Sequence, residues 1–258
     1  MDILKANYID TTTSIVVGSA TDTALYLFDR DPSFQYVTAG FNNDLTTASI
    51  RINFSETMTV SRIALVEHNL KAFTLFYNGT TASTFALSTS SSTISSAFTT
   101  NSETAQYLEV TPVFCTSVTL DMKSTQTADQ EKAVGYMVIS DIHIAFSRPP
   151  SAKGYKIKLD PFDVQHKLSD GGVRIQNIAD NYMVTLDYDF LSESTRNTLY
   201  DIFKLHRELV FCPFGTTTSW DKVIFPCVWS GNFEFFEFSD NAAGAGFSGK
   251  ITLSETPR

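Results

Sequence analysis

Residues 27–38, LFDRDPSFQYVT, place two carboxylates, Asp29 and Asp31, around an arginine and follow them with Phe34 and Tyr36 at alternate positions. Acids beside flat rings are the material of a sugar site, because a ring offers a platform and carboxylates accept hydrogen bonds from hydroxyls. With backbone carbonyls the same acids also suit calcium. A helix-loop-helix calcium loop is excluded: counting Asp29 as first, Phe34 falls where the turn glycine belongs and Gly40 where the bidentate acid belongs. Asp and Pro also build ordinary turns. The stretch therefore has two readings, a ligand rim or a plain strand connection. The ligand reading takes Asp29, Asp31, Phe34, Tyr36 and Asn69 as its binding residues.

The remaining chemistry is thin. His68, His143, His166 and His206 form no metal-binding helix pattern, and three of them sit in or beside strand-like segments, where a hydrogen-bonded imidazole is the ordinary outcome. GAGFSGK resembles a phosphate loop only superficially, since the strand-like ITLSE follows where a helix N-terminus would have to hold the anion. Glu234 and Glu237 flank phenylalanines in a strand pattern and read as solvated edge charges, not as a glycosidase pair. Cys115, Cys212 and Cys227 include no close pair and read as buried thiols, with Cys212 and Cys227 left open as cross-strand neighbours. The expectation is no enzyme, no metal and no cofactor.

Composition sets the frame. The 258 residues carry 21 Phe, 10 Tyr and abundant Ser and Thr but only 18% charged residues, a balance suited to half-buried strands. The net charge of -9 comes with no Lys/Arg cluster, which argues against nucleic-acid recognition and against an anionic membrane surface. MDILKANYID carries no basic-then-apolar leader and no long apolar run occurs, so the expectation is a chain made in a cytoplasm, without membrane insertion.

The elements that must position these residues divide at SRPPSAKG, residues 147–154, giving expected domains 1–148 and 149–258. The first is a succession of short strands: ASIRINF, VSRIALVE, AFTLFYNG, QYLEVTPVF, SVTLDMK and GYMVISDIHIAF. Residues 80–104 hold 16 Ser or Thr and read as a surface excursion with one weak strand at most. Half-apolar sheets must bury a face on one another, so the fold class is mainly β, beginning with a β-sandwich. The second domain is α+β: a helix over LSESTRNTLYDIFKLHRE, with Leu199, Ile202, Phe203 and His206 on one face and Ser192 or Ser194 as cap, laid on an antiparallel sheet. In GNFEFFEF, Phe233 and Phe235 share one face while Phe236 and Phe238 take the other unless a bulge intervenes. A two-faced strand is a first hint of assembly.

ALYLFDRDPSFQYVT followed by TASIRINFSETMTVSRIALVEHNLKAFTLFYNG resembles the discoidin, or galactose-binding-like, jelly-roll family over about residues 5–146, with VGYMVISDIHIA as its closing strand. Residues 154–258 are similar to the tail-tube-like domains of bacteriophage tail and baseplate proteins, including distal tail proteins, with the two parts in reversed order. That resemblance implies a non-enzymatic virion structural protein, assembled in a host cytoplasm. It implies a homo-oligomeric ring that contacts other tail or baseplate proteins and carries the jelly roll as a docking or adsorption module. The alternative is a carbohydrate-binding protein that meets a host surface glycan through the jelly-roll loops.

Overall fold

The computed structural model describes every residue except 12, 30–33, 79–82, 85, 89–92, 96, 147–149, 151–153, 168–171, 214–224, 241–243 and 257–258. It is mainly β, built from antiparallel ladders. The chain separates into two compact units, one holding Asp2–Ile142 and the other His143–Phe211 with Phe225–Arg258. Most of the expected seam at 147–154 lies outside the described residues.

In the first unit the short strands of the sequence fuse. ASIRINF and VSRIALVE belong to one strand, Ala48–His68, and QYLEVTPVF and SVTLDMK to another, Gln106–Thr125. The two pair antiparallel, with register breaks between Glu109 and Val113 and between Cys115 and Ser117. These breaks account for a mismatch of parity: Ile50 and Ile52 enter the same core as Ile63 and Leu65, which a regular pleat would send to the opposite face. An irregularity rephases the pleat, so each long strand serves both layers of a sandwich. Leu70–Tyr77 and Ala133–Ser140 flank them. Every residue of Ala133–Ser140 is buried, which explains its largely apolar composition.

The Ser/Thr-rich segment departs from its expectation. Among the described residues it supplies four short strands, Ser83–Thr84, Ala86–Ser88, Thr93–Ser95 and Ala97–Phe98. Ser/Thr-rich chain pairs readily when a neighbouring strand offers its edge, and Phe98 stacks on the core residue Phe73 at 4.4 Å.

Behind the core, Arg62 is buried at 7% exposure. Its Nε lies 3.2 Å from Asp2 Oδ2 and its Nη2 3.2 Å from Glu109 Oε1, while Nη1 donates to the Ser61 carbonyl. Tyr107 OH donates to the same Asp2 oxygen at 2.6 Å. A buried guanidinium is tolerable only when its donors are matched in this way. Burial is the leading effect on both titrations: it holds the Tyr107 phenol neutral, and at Arg62 the neighbouring anions outweigh it and keep the charge in place.

The second unit contains a sheet ordered Leu209–Cys212, Phe225–Trp229, Gly244–Glu255, Val173–Leu191, Tyr155–Lys167, with Glu234–Asp240 also pairing to Gly244–Glu255. The expected helix spans Glu193–Leu205, capped by Ser192, whose hydroxyl accepts from Thr195 N. Leu199 and Ile202 are buried under it. His206 is not part of the apolar stripe: it is an exposed left-handed C-cap, with its ring edge-on to Phe203. Arg196 lies over the rings of Phe233, Tyr200 and Phe247 at 5.5–5.6 Å and ties helix to sheet through cation–π contacts. Leu209 stands opposite Cys227, so Cys212 is three positions along the ladder and the two buried thiols are not cross-strand neighbours.

His68 carries the clearest pH dependence. It is 2% exposed, its Nδ1 accepts from Leu70 N at 3.2 Å, and its Nε2 has no partner among the described residues. Burial lowers its pKa from 6.5 to about 4. The unfolded chain takes up a proton as the pH drops below 6.5 while the fold does not, so stability is whole above 6.5 and drains away towards pH 4. The loss is on the order of 3 kcal/mol. Denaturant titrations of His68→Leu at pH 4, 5, 6 and 7 should show a lower but much flatter stability between pH 6.5 and 4 than the native chain.

Candidate functional site

Of the residues singled out at the sandwich rim, two belong to the fold. Tyr36 is fully buried, and its hydroxyl donates to the Ser19 carbonyl at 3.0 Å. Asn69 is spent on the backbone: Nδ2 donates to Glu131 O at 2.8 Å and Oδ1 accepts from Ala133 N at 2.9 Å, fastening the start of Leu70–Tyr77 to the approach to Ala133–Ser140. Neither is presented to a ligand. Asp31 lies outside the described residues. Asp29 ends a single helical turn, Tyr26–Asp29, and is exposed. Phe34 is 47% exposed and stacks on Tyr26, centroids 5.0 Å apart and planes 25° apart. What remains of the rim is thus an aromatic pair, Tyr26 and Phe34, in the same stretch of chain as Asp29. Tyr26 was missed because its spacing from Phe34 becomes a contact only once the chain turns between them. No cluster of three or more metal-binding side chains occurs among the described residues.

A second candidate surface lies on the second unit. Glu234–Asp240 pairs with 244–250 without a register break, so the pleat alternates as the sequence implied. Phe235 stands opposite Gly249, where a Cβ would run into the Phe235 ring and the Glu234 carbonyl; the glycine is there because the ring lies across it. Phe236, opposite Ser248, takes the other face and is 72% exposed. Around it a depression of about 420 Å³ is lined by Lys156, Asp187, Asp189, Glu234, Ser248 and Lys250. On the same face, Val228 is 36% exposed.

The backbone contributes a further feature. Tyr155–Lys167 and Val173–Leu191 pair from Tyr155 opposite Leu186 out to Lys167 opposite Val173. Gly244–Glu255, the next strand, pairs only with Met183–Leu191. Residues 160–167 and 173–181 therefore leave the sheet as a two-stranded arm roughly 25 Å long, with no third strand beside it among the described residues.

No protein-family model matches the chain, and no curated protein matches it. Solved structures similar to it include chitosan-binding module 1 from a chitosanase/glucanase of Paenibacillus sp. IK-5, at 12% identity over 53% of this chain and 98% of that one, with a TM-score of 0.41. They also include CpGH89CBM32-6 produced by Clostridium perfringens, at 12% identity over 53% and 99%, TM-score 0.40. A third is a pectin-binding carbohydrate-binding module, at 16% identity over 56% and 96%, TM-score 0.37. What those modules bind is a property of those modules. Nothing in these comparisons indicates a tail or baseplate protein.

The division between fold residues and presented residues is directly measurable. Asn69→Ala strands the Ala133 N–H and the Glu131 carbonyl and should cost about 2 kcal/mol in a denaturant titration. Phe34→Ala removes a half-exposed ring and should cost under about 1 kcal/mol.

Proposed function

We propose that this chain is a non-enzymatic assembly protein: the second unit joins copies of itself, and the sandwich serves as a docking module. The observation that carries this reading is the self-paired arm of residues 160–167 and 173–181. An isolated two-stranded hairpin is marginal in water, and its two outer edges offer unpaired backbone groups. Another copy of the protein supplies the missing partner. Phe236, 72% exposed on the same sheet, is available to such a contact. Contacts of unlike edges close into a ring when the rotation closes. A specific contact of this kind buries roughly 1,200–2,000 Å² per pair. The phage tail or baseplate setting, with location in the virion, is the expectation that the sequence resemblance attaches to this assembly.

A second reading, carbohydrate binding by the sandwich, is favoured by one observation: the stacked, partly exposed Tyr26–Phe34 pair close in sequence to the exposed Asp29. An aromatic platform with a few directed polar groups is the usual make-up of a sugar site.

Sedimentation velocity and electron microscopy test the first reading. The full chain should form closed oligomers at high concentration or with tail components, and a chain whose arm is cut back to a short turn after residue 160 should stay monomeric with its sandwich folded. A native chain that stays monomeric under both conditions refutes the reading. For the second, a glycan array with and without calcium should show signal that Phe34→Ala removes; flat binding throughout dismisses it.

A further inference from the structure

The sandwich contains a charge that no ligand reading uses. Lys132 is fully buried, yet its side chain ends in an ammonium group. Its Nζ donates to the Phe41 carbonyl at 2.7 Å and to the Asn43 carbonyl at 3.3 Å. Two carboxylates bracket the same loop. Asp129 Oδ1 accepts from Asp44 N at 3.1 Å, and Asp44 Oδ1 accepts from Thr125 N at 3.1 Å. The backbone of Lys132 is clamped as well: Thr38 N donates to Lys132 O at 3.0 Å, and Lys132 N donates to Thr38 Oγ1 at 2.9 Å. The residues from 38 to 44 thus curl around one cation and are fastened to the turn 125–132 through it.

Carbonyl oxygens turned onto one positive centre, with carboxylates in the same loop, are the surroundings a hard metal ion such as calcium or sodium uses. A buried ammonium needs acceptors and opposite charge nearby; two carbonyls take N–H groups of Lys132, and Asp44 and Asp129 favour its charge, while burial outweighs them and lowers its pKa. We propose that Lys132 is a tethered cation occupying a latent cation site formed by the Phe41 and Asn43 carbonyls, with the acids Asp44 and Asp129 in the loops around it, so that the rim loop is locked without a metal ion. This rests on the sandwich alone and is independent of whether the second unit assembles or the rim binds a sugar.

The test compares the full-length protein with Lys132→Met and Lys132→Ala by thermal unfolding in choline chloride with EDTA, in sodium chloride and in calcium chloride. The native chain should unfold at the same Tm in all three. Lys132→Met, which keeps the bulk and loses the charge, should fall by more than about 5 °C in every buffer. Lys132→Ala should fall at least as far in choline and recover part of the loss in calcium or sodium, because its shortened side chain leaves room for an ion. A Lys132→Met protein as stable as the native chain overturns the assignment. So does a Lys132→Ala protein indifferent to every cation, or a native chain that calcium stabilises as much as it stabilises Lys132→Ala. Should neither variant fold, acetylation of the native protein followed by mass spectrometry decides: Lys132 must stay protected while the exposed Lys123 and Lys156 react. Equal labelling of Lys132 refutes a sealed cradle.

Discussion

A β-ladder that outruns its sheet has to end in water or on another chain. The ladder between Tyr155–Lys167 and Val173–Leu191 continues well past the last residue paired to Gly244–Glu255, and the functional reading of the second unit follows from that mismatch of length. Each strand of the arm has one backbone edge paired to the other strand and one with no strand beside it among the described residues. Water can satisfy the open edge, but water also competes with the ladder itself, which is why two strands alone are marginal. The neighbouring strand Glu234–Asp240 faces the same constraint in side-chain form: its alternation sends Phe235 into the aromatic layer beneath the helix and leaves Phe236 outside.

The first unit solves the opposite problem, that of being buried on too many sides. Ala48–His68 is buried without interruption from Val60 to Leu65, so half of those side chains point away from the hydrophobic core into a second buried layer. Arg62 answers with three anionic or carbonyl partners and a neighbouring phenol, Lys132 with a carbonyl cradle, and Asn69 with a donor and an acceptor given to two backbone groups. His68 keeps one ring nitrogen unmatched among the described residues, and its buried imidazole adds to the acid sensitivity of the unit. Polar groups inside the sandwich therefore act as fasteners between distant strands, and among the described residues the rim presents the partly exposed aromatic pair of Tyr26 and Phe34.

The sequence by itself determined the mainly β class, the capped helix after Ser192 and the two-faced strand around Phe236, because each depends on a local period: two residues for a pleat, 3.6 for a helix, a hydroxyl at the first free N–H. It also showed that no familiar catalytic motif is present. It did not reveal that ASIRINF and VSRIALVE are one strand, since a strand that changes layer at a bulge shows the same apolar spacing as two strands joined by a loop. Nor did it separate Tyr36 and Asn69 from Phe34. A tyrosine or asparagine looks identical in sequence whether its polar atom meets a ligand or, as here, the Ser19 carbonyl or the backbone of residues 131 and 133. The stacking of Tyr26 on Phe34, the cradle around Lys132 and the length of the arm beyond its sheet were decided by tertiary structure alone. All three join residues through the paths of intervening chain, and no local spacing encodes where those paths return.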